Sequence, residues 1–91
     1  MKYRLLWLYD ALDNLAASML YARRVGRDPY AITRAMAQID ADMERDPATL
    51  GESRSGNRRV YIVNPVTVFF EVHEEERVVA VTAVRYHRRE R

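Results

Sequence analysis

"RRVYIVNPVTVFFEV", residues 58–72, decides the fold. Apolar and β-branched residues fill two short runs, and Asn64–Pro65 separates them, so the segment predicts two strands joined by a tight turn. With residues 64–65 as a two-residue loop, 63 pairs with 66, 61 with 68, 60 with 69 and 58 with 71. Tyr61, Val63, Val66, Val68, Phe70 and Val72 then share one face, and Arg58, Val60, Ile62, Thr67, Phe69 and Glu71 share the other. The turn "HEEE" (73–76) leads into a last strand, "RVVAVTAVRYH" (77–87). A three-residue loop at 74–76 would add Val79, Val81, Ala83, Arg85 and His87 to the second face.

Upstream, the period is helical. "KYRLLWLY" (2–9) reads as a strand with alternating aromatics. Leu8, Leu12, Leu15, Met19 and Ala22 then recur at three- and four-residue spacing, with Asp10 as a cap and Gly26 at the end of a helix over about residues 10–25. Asp28–Pro29 starts a second helix, a cap residue followed by proline at the first helical position. Its apolar stripe is Ile32, Ala35, Met36, Ile39 and Met43, and Pro47 ends it. "TLGESRSGN" is turn-rich, with a short strand around Glu52. The order β-α-α-β-β-β, with that extra short strand, predicts a single α+β domain over residues 1–91: a small antiparallel sheet with both N-terminal helices packed on one face. The second face, apolar at its centre, is left for a partner, such as a second copy of the chain, or for a cleft.

Composition bounds the chemistry. With 48% hydrophobic and 31% charged residues the chain is a globular domain rather than a disordered one. The absence of cysteine excludes disulfides, zinc–thiolate sites and cysteine nucleophiles, and fits a cytoplasmic protein. No stretch is long and apolar enough for a membrane span. His73 and His87 are isolated and there is no glycine-rich phosphate loop, so neither metal nor cofactor is expected. Net charge is only +2, but residues 85–91 hold four arginines against one glutamate, which points to one local anionic contact.

The motifs "DP…GESR…RRVYIV", "VFFEVHEEERVVAVTAV" and "RYH", within residues 46–88, resemble the RelE/ParE superfamily of toxins from bacterial toxin–antitoxin modules. "RYH" is similar to the end of the YoeB-like branch. The resemblance implies a small antiparallel sheet against two N-terminal helices, and a cognate antitoxin as partner. For the ribonucleases of the family it implies ribosome-dependent cleavage of messenger RNA, in which the ribose 2′-hydroxyl attacks the adjacent phosphate. That step needs a base, cations for the developing charge and an acid for the leaving oxygen. Carried over, His87 stands where the family places a catalytic residue on its last strand and serves as general acid. Arg58 falls where the RelE branch holds phosphate with a basic residue, Arg85 is the candidate substitute cation beside it, and Glu52 corresponds to the YoeB-like base. The pattern breaks at Thr67, where active members carry a phosphate-clamping arginine. Losing one preorganised donor costs on the order of 10²–10³ in rate. Two alternatives therefore stay open: a ParE-like gyrase inhibitor, and a non-catalytic partner-binding or dimerising member of the same fold.

Overall fold

A computed structural model describes residues 2–87. Its elements are β1 (Arg4–Trp7), α1 (Tyr9–Arg24), α2 (Pro29–Arg45), a 3₁₀ turn (Pro47–Thr49), β2 (Glu52–Ser53), β3 (Arg58–Val63), β4 (Val66–His73) and β5 (Val78–Tyr86). The five strands form one sheet in the order β1-β5-β4-β3-β2. Three of the four strand pairs are antiparallel as expected; β1 runs parallel to β5, Leu5 opposite Val79 and Trp7 opposite Val81. Parallel pairing requires a long crossover, and the helical hairpin is inserted between these two strands.

Both helices lie on one face. The core there joins Ala11, Ala22, Ile32, Ile39 and Met43 of the helices to Val66, Val68, Phe70, Val72, Val79 and Val81 of the sheet. Asp28 caps α2 as its sequence predicts, its Oδ1 accepting the Tyr30 N–H at 2.9 Å. Asp10, by contrast, is not the cap of α1: Leu8 occupies that position without a side-chain bond, and the helix starts one residue earlier. Tyr61 helps to dock α2 on β3, donating its hydroxyl to Asp42 Oδ2 at 2.7 Å.

The β3–β4 hairpin has the register the sequence dictates, from Arg58 opposite Glu71 to Val63 opposite Val66. β5 departs from it twice. The connecting turn takes four residues, 74–77, instead of three, with Arg77 at φ 57°. That one-residue slip turns Val79 and Val81 to the helices, opposite Val72 and Phe70, where both are fully buried. A β-bulge at Thr82 then restores the original facing, since Phe69 pairs with Ala83 and Thr67 with Arg85. Placing Val79 and Val81 on the second face is thus corrected, whereas Ala83 and Arg85 lie on it.

Candidate functional site

The bulge that aims Arg85 outward has its polar groups bonded from both sides of the sheet. Thr82 Oγ1 donates to the Phe69 carbonyl at 3.1 Å, and Asn14 Oδ1 of α1 accepts the Val84 N–H at 3.0 Å. Beyond it, Tyr86 faces α1 and meets the Tyr21 ring edge-on at 6.1 Å. The His87 N–H continues the ladder to the Pro65 carbonyl at 2.9 Å. "RYH" is therefore strand and its direct continuation, with Arg85 and His87 on the face that carries no helix. Arg88, Arg89 and Arg91, which the sequence adds as a basic fringe, lie outside the described residues.

Three rows cross that face. Ile62, Thr67 and Arg85 form one; Glu52, Val60, Phe69 and Ala83 the next; Arg58, Glu71 and Ala80 the third. With Val79 and Val81 turned away, its apolar centre is smaller than the sequence implies: Val60 is 7% exposed, Phe69 half-buried and Ile62 60% exposed. A groove of about 710 Å³ runs over the middle rows, between Arg54 and Arg58 at one side and Arg85 at the other, with Phe69 and Thr82 in its lining.

The cations are not equivalent. Arg85 places its guanidinium carbon 5.7 Å from the centre of the Phe69 ring, within cation–π range. Neither Arg85 nor Arg58 has a carboxylate within ion-pair distance among the described residues. Arg58 stands opposite Glu71, yet the expected cross-strand ion pair is not formed, because the Glu71 carboxylate contacts His73 Nε2 at 3.2 Å instead. Arg54 is held by Glu52 at 3.1 Å in an exposed pair. Arg59 points elsewhere, donating to the carbonyls of Leu50 and Gly51.

Of the four residues singled out from sequence, Arg58 and Arg85 line one groove. His87 lies past its end, with Nε2 3.1 Å from the Thr67 hydroxyl and Arg27, Asp28 and Pro65 around a separate hollow. Glu52 is on the opposite edge strand. Strand spacing and rise put it about 20 Å from His87. No acid–base pair on a single phosphate joins those two. Arg54 was missed by sequence reasoning, since it sits in a turn-rich segment that only the two-residue β2 fixes. The described residues contain no cluster of His, Cys, Asp or Glu suited to a metal ion. No described helix is long and apolar enough to cross a membrane.

No protein-family model matches the sequence, and no curated protein matches it. Solved structures do. A chain from the toxin–antitoxin complex RelBE2 of Mycobacterium tuberculosis has a TM-score of 0.73 at 13% identity, covering 96% of this chain and 100% of that one. A chain from the chromosomal ParDE system of P. aeruginosa has a TM-score of 0.69 at 17% identity, covering 94% and 97%. At these identities the likeness is one of fold, and it is the fold that the sequence motifs resemble.

Proposed function

We propose that this chain is the toxin of a toxin–antitoxin module, and that its open sheet face grips RNA for cleavage of messages on the ribosome. The observation that carries this reading is the pair of arginines, Arg58 and Arg85, both without carboxylate partners among the described residues and both lining one groove with Phe69. Guanidinium groups bind phosphate bidentately, and a half-buried aromatic ring between them is a feature of nucleic-acid surfaces rather than of a solvated strand. The fold shared with chains of RelBE2 and ParDE supports an antitoxin as partner. In this reading His87 supplies the proton to the leaving oxygen, Arg85 and Arg58 stabilise the phosphate, Glu52 restrains Arg54 instead of acting as the base, and the proton of the attacking 2′-hydroxyl passes to solvent water.

One observation favours a second reading. The His87 ring is engaged by Thr67, and among the described residues no carboxylate is within hydrogen-bond or ion-pair distance of it. A surface with cations but no second proton-transfer group suits binding without cleavage, as in gyrase inhibition or association with an antitoxin or a second copy.

Induced expression in a bacterial host, with primer extension on translated messages and a supercoiling assay, separates the readings. Growth arrest with cleaved messages, lost in Arg58→Ala and Arg85→Ala, is the expected result. Arrest with inhibited supercoiling and intact messages would replace it with the gyrase reading, and absence of arrest would leave a partner-binding role.

A further inference from the structure

We propose that Phe69 is a stacking platform for one base of a single-stranded RNA, capped in the free protein by the guanidinium of Arg85. The inference rests on the RNA-gripping reading and deepens it by naming what the groove recognises besides phosphate.

Phe69 lies on the sheet face without helices, and its cross-strand partners are Val60 and Ala83. Both are smaller than the ring, so the ring stands above the apolar floor on either side. Among the described residues, the guanidinium of Arg85 lies over it, 5.7 Å from the ring centre. No carboxylate among the described residues holds that guanidinium there, and an exposed cation–π contact is a weak one. A phosphate offers Arg85 two charge-assisted hydrogen bonds, a stronger attachment. When Arg85 moves to a phosphate, the Phe69 face is uncovered next to it, and an unstacked base covers it in exchange. The ring is shielded in both states. The groove, about 710 Å³, has the volume for a nucleotide, with Arg58 and Arg54 across from Arg85 for flanking phosphates. A duplex keeps its bases stacked on one another and cannot make this contact, so the recognised form is single-stranded. An acidic peptide would satisfy the arginines but has no flat group for the ring.

The test is fluorescence anisotropy of the full chain with a labelled octa-adenylate RNA and with an eight-residue abasic ribose-phosphate of equal charge. The adenylate should bind at least about fivefold more tightly, the ratio expected for one stacked base. Phe69→Leu, which keeps the face apolar, should reduce that ratio to one. Phe69→Trp should preserve it, and its added tryptophan should be quenched by the adenylate, whereas Trp7, packed on the helix side, should not respond in the parent. Equal affinity of the parent for both oligomers would overturn the platform, as would binding of octaglutamate as tight as that of the adenylate. These outcomes are independent of toxicity. Growth arrest with cleaved messages and no base preference would remove the platform and keep the function, while base preference without arrest would keep the platform and remove the toxin reading.

Discussion

The Thr67 hydroxyl lies 3.1 Å from His87 Nε2, joining the start of β4 to the residue just past the end of β5. Thr67 is 9% exposed, so the contact is sheltered from competing water. It fixes where the imidazole points. In the nuclease reading His87→Ala removes cleavage and growth arrest while leaving antitoxin binding intact, because the apolar row of Val60, Phe69 and Ala83 is untouched.

Thr67→Val keeps the shape and deletes only the hydroxyl. The stability cost is about 1 kcal/mol, the net worth of one hydrogen bond. Activity should fall more steeply, by about tenfold to a hundredfold, because a proton donor that rotates freely spends little time aimed at its target. Rates of message cleavage for the two variants, set beside their urea midpoints, measure this. A Thr67→Val protein as active as its parent would make the contact a brace for the strand end.

Asn14 ties the helical hairpin to the site. Its Oδ1 accepts the Val84 N–H just past the bulge that turns Arg85 and His87 outward. Asn14→Ala leaves that amide without its partner beneath a packed helix, at a cost of about 1–3 kcal/mol. Urea unfolding gives the cost, and hydrogen exchange at Val84 should speed up more than at Val68 in the neighbouring strand.

That bulge also marks where the sequence stops being legible. The hairpin register follows from Asn64–Pro65 and from the two alternating runs, so Tyr61, Val68 and Phe70 could be assigned to the helix side at once. The facing of Arg85 was also readable, but through two departures that cancel. The turn is one residue longer than expected, and Thr82 is one residue too many for the ladder. Neither leaves a mark in hydrophobic alternation, because "VVAVTAV" is apolar on both faces and tolerates either register. Just past its bulge the Val84 N–H is bonded by Asn14, seventy residues away in sequence. Glu52 illustrates the opposite limit: its strand was anticipated, but its distance from His87 follows from strand order, which local pattern does not encode.

Gly51 sets the approach of β2 to β3. Its φ is +67°, and a Cβ there would run into the Val60 carbonyl. Gly51→Ala therefore combines a left-handed backbone that disfavours a side chain with a backbone collision, for a cost above about 2 kcal/mol. Because β2 has only two residues, the strain should be relieved there first. Limited trypsinolysis should cut after Arg54 faster in the variant than in the parent, and the Glu52–Arg54 pair should cease to flank the groove. Unchanged cleavage and an unchanged urea midpoint would show that the strands accommodate the methyl group.

Asp40, on α2, carries a buried Oδ1 with no hydrogen-bond partner. Burial, and secondarily the charge of Glu44, push its carboxyl above the usual carboxylate range. The direction of the consequence is set by linkage. A folded-state value above the unfolded one means that the native protein disfavours ionised Asp40, so its charge is a liability at neutral pH. That liability shrinks as pH falls through the folded value and is gone below the unfolded one, near pH 3.9. Asp40→Asn removes the charge and keeps the shape. It should be more stable than the parent at pH 7, with an advantage that narrows through the acid range and vanishes below about pH 3. Glu44→Gln should give a smaller gain with the same pH dependence, since the like charge is the lesser cause. Urea unfolding of the three proteins at pH 7, 5 and 3 decides it. A gain for Asp40→Asn that persisted undiminished at pH 3 would place its origin in packing around α2 and not in the buried charge.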